Sequence, residues 1–382
     1  MENLILDKPF LTFEQQITKL INEKNLTISN KNYALEVLSS ISYFDLINGY
    51  KNLYQTNNQF ISGMTIEQLF TTHVLNKNIQ GAIIKYASYV ENSFKTILSY
   101  VIAQNISEIE TVYLDPHKYK RARGIIERQH FSKTLNEISD FCKTTTETPT
   151  SHYRDTKDHI PPWILFKNIS FSSATDIYMA LKKEDKEKLF TYFRLMSFSG
   201  LDYSKLSAIM PTALRIVRKF RNKAAHNLNF MDYRLPLNND VNIIFSGTLL
   251  HSDEMDKTFN DIWALILSVI LLLNNRYIEY SFLSEISSYL QSYGKDMETL
   301  YCNITGIPID YLERFKLYID TLKIENNVSA PESDKKSFDN SYSEVAATLE
   351  ITDKDFILKY NYKKQRKRSN VKTWRKRNNI KR

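Results

Sequence analysis

The sequence predicts an all-α protein, and three observations support this. Only 8 of the 382 residues are Gly and 9 are Pro, far fewer than turn-rich sandwiches and propellers use. Apolar residues recur at spacings of three and four over long stretches, as they do on one face of an amphipathic helix. An apolar run from Ile262 to Leu273, interrupted only by Ser268, predicts a buried helix.

The N-terminal part should contain three helices. The first follows Thr12, which is suited to cap a helix together with Gln15 three residues later. The second spans Tyr33 to Tyr50. The third runs from Thr65 to about Ala103 and has a broad apolar face in which Glu91 is the lone acid.

Further helices and one hairpin are predicted in the rest of the chain. The segments with a helical or resumed apolar pattern are Tyr119 to Lys143, Trp163 to Tyr178, Lys186 to Met196, Ser204 to about Leu228, Ile262 to Tyr280 and Leu283 to Tyr293. Apolar and β-branched residues before Ser246 and Gly247 predict a strand-like hairpin over 241–251.

Composition divides the chain into four regions. Residues 1–64 form an N-terminal helical region, and 65–322 form the helical core. The polar segment 323–340 is predicted to be a linker, and 341–382 to be a small helical segment with a basic tail. Residues 343–357 resemble a helix-turn-helix, but Glu350 stands where the turn usually has Gly, which favours a capped helical appendage.

The sequence excludes several classes of function. No two glycines lie closer than twelve positions, so Walker A, dinucleotide-binding and kinase glycine loops are absent from it. Residues 1–8 have neither a basic region nor a sustained apolar segment, so we expect no secretory signal, and no apolar run reaches the roughly 20 residues of a membrane span. Cys142 and Cys302 lack the spacing of a zinc or thiol-exchange site. We therefore expect a cytoplasmic protein that needs no metal and no cofactor.

The net charge of +8 is concentrated at the C-terminus. Residues 361–382 contain eleven Lys or Arg and no acid, which leaves 40 basic and 43 acidic residues in the rest of the chain. Such a tail attracts phosphate backbones without reading their sequence, although a solvated end that maintains solubility would have the same composition. The candidate RNA-binding residues are Lys363, Lys364, Arg366, Lys367, Arg368, Arg375, Lys376 and Arg377.

The candidate catalytic residues lie near the end of the helix that begins at Ser204. Asn222 and His226 are 40° apart on a helix, and Arg218 continues the same stripe. Arg221 lies 140° from His226, so only its long side chain or a distorted turn lets it reach a phosphate near the imidazole. An imidazole and a guanidinium are what RNA cleavage needs for proton transfer and for stabilising the phosphorane.

Spacing alone does not identify this site. An Arg five residues before a His also occurs at Arg154 and His159, in a polar loop with no apolar face behind it. A helix histidine beside solvated basic residues would show the same pattern as Arg221 and His226.

A family resemblance strengthens the assignment. Arg221-Asn222-x-x-x-His226 resembles the RNxxxH motif of HEPN ribonucleases. Other stretches resemble the abortive-infection family of the AbiD and AbiF type (Abi-like), in that family's order: Lys8 to Thr12, Ile41 to Tyr50, Pro162 to Leu165 with Ser170-Phe171, and Gly306 to Pro308. The resemblance implies an all-α HEPN core, RNase activity in phage defence or as a toxin, dimerisation, and in some relatives association with a small non-coding RNA.

The chain also departs from its relatives. Where they commonly have an acid followed three residues later by an apolar-basic pair, this chain has Asn76, Ile79 and Gln80. Glu91 falls where HEPN proteins often keep an acid. It either orients the basic groups of the site or serves as a paired structural carboxylate.

Two functional hypotheses follow. In the first, the protein is a metal-independent endoribonuclease in which His226 transfers protons, Arg221 stabilises charge and Asn222 positions the phosphate or His226, with Glu91 and Arg218 in support. Two protomers would supply the base and the acid. In the second, it is a non-catalytic RNA-binding scaffold or nucleic-acid-binding regulator that acts through its tail.

Overall fold

A computed structural model describes residues 8–121, 124–236, 239–246, 250–251 and 259–325. One compact unit extends to Tyr318, and a second begins at Ile319, of which only 319–325 are described. The described part of the chain is mainly helical, with two small antiparallel sheets, so the all-α prediction is confirmed. The HEPN type of the fold and the four predicted regions stay predictions.

The first part of the fold comprises short helices and one long one. The helices are α1 (Phe13–Asn22), α2 (Lys31–Ser40), a π-helical turn (Phe44–Asn48), α3 (Lys51–Tyr54), α4 (Ile66–Asn105), α5 (Glu110–Tyr113), a 3-10 turn (Pro116–Lys118), α6 (Ile125–Thr144), α7 (Thr150–Thr156), α8 (Pro162–Asn168) and α9 (Phe171–Ala180). Strands β1 (Gln55–Thr56) and β2 (Gln59–Phe60) pair with each other.

From residue 183 onward the described chain again consists mainly of helices. These helices are α10 (Lys183–Thr191), α11 (Arg194–Phe198), α12 (Tyr203–Ala225), a 3-10 turn (Val241–Phe245), α13 (Ile262–Leu272), α14 (Arg276–Gln291), α15 (Lys295–Thr305) and α16 (Tyr311–Glu325). Strands β3 (Leu235–Pro236) and β4 (Phe259–Asn260) form the second sheet. Helix α16 thus includes the first three residues of the predicted linker, and the basic tail lies outside the described residues.

Helices α4, α12 and α13 form the centre of the first unit. Helix α12 packs against both α4 and α13, and α4 also packs against α8, α9, α10 and α14. All residues of α13 are buried, which explains why its sequence is apolar on every face. The predicted buried helix is confirmed, although it ends at Leu272.

Two predicted helix starts are confirmed. Thr12 and Thr65 each accept a hydrogen bond from the backbone N–H three residues later. In both cases the side chain of a glutamine, Gln15 or Gln68, accepts from the backbone N–H of the threonine. These reciprocal bonds satisfy N–H groups that a helix start leaves without partners inside the helix.

Several predicted boundaries are wrong because local caps end or restart helices. The helix predicted over 33–50 stops at Ser40, since Ile41 is extended and the Ser42 hydroxyl accepts from the backbone N–H of Asp45 to begin the π-helical turn. The helix predicted over 262–280 breaks after Leu272, and Asn275 caps the next one. Helix α6 begins at Ile125 instead of Tyr119.

The hairpin predicted over 241–251 is also wrong. Val241 to Phe245 form a 3-10 turn that Asp240 caps by accepting from the backbone N–H of Asn242. Val241, Ile244 and Phe245 are buried, and the turn packs against α12 and α13. Burial against helices therefore overrides the strand propensity of these residues.

A buried polar network joins the first unit's N-terminal part to α4 and α15. The Tyr50 hydroxyl accepts from Asn76 Nδ2 at 3.1 Å and lies 3.3 Å from His73 Nδ1. Tyr301 donates to Asn76 Oδ1 at 3.5 Å. Burial lowers the pKa of His73 to about 4, and Lys77 adds to the effect.

His73 should make the protein less stable in acid. The unfolded chain takes up a proton on this imidazole below its ordinary pKa of about 6.5, whereas the folded chain does not until about pH 4. Stability present above pH 6.5 is therefore lost as the pH falls to 4, by up to about 3 kcal/mol. In urea unfolding at a series of pH values, His73→Asn should lose less stability over this range than the wild type. Parallel profiles for the two proteins would contradict this role.

Candidate functional site

Helix α12 ends at the candidate histidine instead of continuing to Leu228. Asn227 adopts a left-handed backbone conformation (φ 60°), which Asn tolerates better than most residues. The backbone N–H groups of Asn227 and Leu228 donate back to Ala224 and Lys223, the pattern of a Schellman motif. The N–H of His226 still donates to the Asn222 carbonyl at 3.0 Å. His226 thus lies one turn beyond Asn222, as the sequence predicted, but in the capping position.

The turn after His226 is held by side chains of α4. Lys77 Nζ donates to the Asn227 carbonyl at 2.9 Å, and Gln80 Nε2 donates to the Leu228 carbonyl at 3.0 Å. Asn76 Nδ2 donates to Asn229 Oδ1 at 2.9 Å. We call these three side chains the α4 clamp. Sequence comparison marked two of them, Asn76 and Gln80, only as departures from the family pattern.

Glu91 links the two central helices at the site. Its Oε2 accepts from Arg221 Nη2 at 3.1 Å, and its Oε1 lies 2.6 Å from Lys95 Nζ. Lys95 also donates to the Ile169 carbonyl at 2.6 Å. The carboxylate therefore holds two cations, and Lys95, which sequence reasoning missed, could have been found from its i,i+4 spacing to Glu91.

The candidate residues differ in how they are held. Arg221 is 31% exposed and bound by Glu91, whereas Asn222 and His226 are exposed. Among the described residues, neither Asn222 nor His226 has a side-chain hydrogen bond to the protein. Arg218 donates to the Ser172 hydroxyl on α9, so it serves the packing of α9 against α12 in this structure. The eight candidate residues of the tail lie outside the described residues.

This arrangement suits chemistry on an anion. Arg221 keeps N–H donors beyond the one that Glu91 uses, and its partial exposure lets them reach a phosphate. The Asn222 amide and the His226 imidazole, one turn apart, can donate to or exchange a proton with the same ligand. Within the described ranges, no group of three or more His, Cys, Asp or Glu residues is arranged to hold a metal ion.

The other Arg-x-x-x-x-His pair is arranged differently. Arg154 binds the Asp155 carboxylate and the Lys143 and Thr145 carbonyls. His159 lies 2.8 Å from Asp158. The side chains of Arg154 and His159 are thus each hydrogen-bonded to groups of the protein. Because the pair has the same spacing, it is a matched control for the candidate site.

Comparison with known proteins decides the family. The model of the Abi-like protein family matches residues 36–232, just over half of the chain. The chain belongs to the Abi-like family. No curated protein and no solved structure gives a match.

The Abi-like match includes α4 with its clamp, Glu91, and α12 with Arg221, Asn222 and His226. It ends at Asp232, before α13. Membership of the Abi-like family implies a role in abortive infection. Among the described helices, none combines the length and apolar character needed to cross a membrane.

The α4 clamp should control the order of the turn after His226. Gln80→Ala removes the donor to the Leu228 carbonyl, and a net loss of about 1 kcal/mol corresponds to roughly fivefold more frequent local opening. Hydrogen exchange should therefore accelerate at the amides of residues 226–228, with little change in α13. Gln104→Ala, at an exposed position on the same helix, is the control. Unchanged exchange at residues 226–228 would show that Gln80 does not hold the turn.

Proposed function

We propose that this protein is a metal-independent endoribonuclease of the HEPN type that acts in anti-phage abortive infection. One observation carries the proposal. Helix α12 presents an exposed His226 and Asn222 beside an Arg221 that Glu91 holds from α4. This is the residue set of the RNxxxH motif, in a chain whose family membership implies a role in abortive infection.

The chemistry is attack of a ribose 2′-hydroxyl on the adjacent phosphorus. The new P–O bond forms as the bond to the 5′-oxygen breaks, which leaves a 2′,3′-cyclic phosphate and a 5′-hydroxyl. His226 accepts the proton of the 2′-hydroxyl or donates one to the 5′-oxygen. Arg221 stabilises the charge that develops on the phosphorane, and Asn222 donates a hydrogen bond to the phosphate or to His226.

A homodimer would complete the site. The reaction needs both a base and an acid, whereas one RNxxxH motif supplies a single imidazole. His226 is exposed, as is Leu228 beside it (42% exposed), so a second protomer has access to this end of α12. In the dimer, one His226 acts as the base and the other as the acid.

RNA is the partner in this proposal, both as substrate and as a small non-coding RNA that regulates activity. The basic tail beyond residue 361 would add salt-sensitive attraction to the RNA backbone. The scaffold hypothesis remains as the alternative. The cleavage activity of His226 variants distinguishes it from the nuclease hypothesis.

His226→Ala should slow cleavage of single-stranded RNA about 100- to 10,000-fold, because proton transfer by a positioned side chain contributes this much. Arg221→Ala should lose about 100- to 1,000-fold through weaker stabilisation of the phosphorane. The measurement is gel-resolved cleavage of an end-labelled RNA by the purified protein, with and without EDTA.

The control variants are His159→Ala and Arg154→Ala, which alter the other pair with the same spacing and should retain wild-type rates. Full activity of His226→Ala, or a strict requirement for a divalent metal, would refute the assignment. A His226→Ala protein that still binds RNA as tightly as the wild type would show that the loss is catalytic.

Glu91 should act as a positioning residue for Arg221. Glu91→Ala leaves the guanidinium without its acceptor and should lower kcat about tenfold, in line with the roughly 1.5 kcal/mol of a hydrogen bond to a charged group. Glu91→Gln retains an acceptor oxygen and should restore most of the rate with little change in KM. Equal losses in the two variants would assign Glu91 a purely electrostatic or structural role.

If each active site uses a His226 from both protomers, cleavage activity should depend on the dimer. With RNA in large excess, a trace of wild-type chain should lose activity when excess His226→Ala chain is added, because the wild-type chains then occupy mixed dimers. Light scattering gives the mass of the species present. Undiminished activity in the mixture, or an active monomer, would contradict the two-protomer mechanism.

A further inference from the structure

A groove of about 540 Å³ lies between α4 and α8 and includes Glu91 in its lining. Helix α4 contributes polar side chains at spacings of three and four, which place them on one face. They are Ser88, Glu91, Asn92, Lys95, Thr96 and Ser99. Because Glu91 also binds Arg221, the groove shares one residue with the candidate site.

The opposite wall presents an exposed tryptophan. Trp163 on α8 is 47% exposed, whereas its neighbours Leu165 and Phe166 are buried. The other tryptophan among the described residues, Trp263, is fully buried and stacked on Phe315. Burying the indole of Trp163 against a ligand would remove apolar surface from water.

The charge of the groove favours an anion. Glu91 is the single acid among the described residues that line it, and that carboxylate already binds both Lys95 and Arg221. Lys167 is exposed at the edge, where its ammonium donates to Asn92 Oδ1 at 3.1 Å. An ammonium has three donors, so Lys167 can bind a phosphate while it keeps Asn92.

We propose that this groove binds a nucleotide of single-stranded RNA, with its base against Trp163 and its phosphate on Lys167. The proposal deepens the proposed function and rests on it for the identity of the polymer. An aromatic face beside cations is the arrangement by which proteins hold single-stranded nucleic acid. Bases within a duplex are stacked on each other and cannot lie flat on the indole, so the site selects unpaired RNA.

The groove also orients the strand with respect to cleavage. From Ser88 to Ser99 the α4 face extends about 16 Å at 1.5 Å per residue. The Glu91–Arg221 pair lies within this length. In this proposal the strand runs from Trp163 along this face of α4 towards the Glu91–Arg221 pair, and the groove would thereby set which phosphate reaches His226.

The test measures RNA binding without cleavage. In the full-length chain carrying His226→Ala, Trp163→Ala should weaken binding of a short single-stranded oligoadenylate about 5- to 100-fold, the effect of losing one stacked base. Trp163→Phe should retain most of the affinity. Neither substitution should change the affinity for a fully paired RNA duplex. Tyr277→Ala, which removes an exposed aromatic ring on α14, is the matched control.

The phosphate contact has its own pair of variants. Lys167→Ala should weaken oligoadenylate binding and reduce its salt dependence, whereas Lys188→Ala, which removes the same charge at an exposed position on α10, should not. Circular dichroism melting checks that each variant is folded.

Fluorescence locates the contact directly. In a His226→Ala, Trp374→Phe background, the emitting residues are Trp163 and the buried Trp263, and saturating oligoadenylate should quench the emission. Adding Trp163→Phe should abolish the quenching. No quenching in the first protein, under conditions where labelled oligoadenylate is bound, would overturn the proposal.

The outcomes separate the groove from the nuclease assignment. If Trp163→Ala binds oligoadenylate normally while wild-type cleavage requires His226, the groove proposal fails and the nuclease stands. If Trp163→Ala weakens oligoadenylate binding but His226→Ala cleaves RNA at the wild-type rate, the groove proposal holds and the nuclease assignment fails. If Trp163→Ala changes the oligomeric state and leaves RNA affinity unaltered, the groove is a protein interface and the proposal is overturned.

Discussion

The polar groups that follow His226 must find donors, and α4 supplies them. The cap satisfies the carbonyls of Asn222, Lys223 and Ala224, but Asn227 and Leu228 lie beyond α12, so their own carbonyls take partners from elsewhere. Lys77 and Gln80 bind the carbonyls of Asn227 and Leu228, and Asn76 binds the Asn229 side chain. The turn that follows the imidazole is therefore held by a side chain of α4 about 150 residues earlier in the sequence.

The same clamp is continuous with the core. Asn76 also donates to the Tyr50 hydroxyl, which lies beside His73. The Asn229 amide in turn donates to the Gly49 carbonyl. The π-helical turn, α4 and the end of α12 are thus joined by buried and half-buried polar groups, and the buried ones would be costly to leave without a partner. This explains why amides at positions 76 and 80 need not be catalytic to matter for the site.

The local features of the fold were predictable from the sequence, whereas the long-range ones were not. Thr12 and Thr65 start helices through bonds to residues three positions away, and the apolar run after Asp261, too short to span a membrane, predicted a buried helix. The positions of Asn222 and His226 on one stripe followed from helical geometry. By contrast, the 3-10 turn at Val241 and the link from Glu91 to Arg221 depend on which helices become neighbours. The end of α12 at Ala225 could have been inferred from Asn227, since Asn is among the few residues that favour a left-handed cap.

Helix α4 carries the clamp, Glu91 and the polar wall of the groove along 40 residues of one uninterrupted helix. The spacing between these parts is therefore set by the pitch of a single element. Insertions and deletions in the connections elsewhere in the fold would leave that spacing intact. Loops of different length could thus be accommodated without moving the clamp, Glu91 and the groove wall relative to one another.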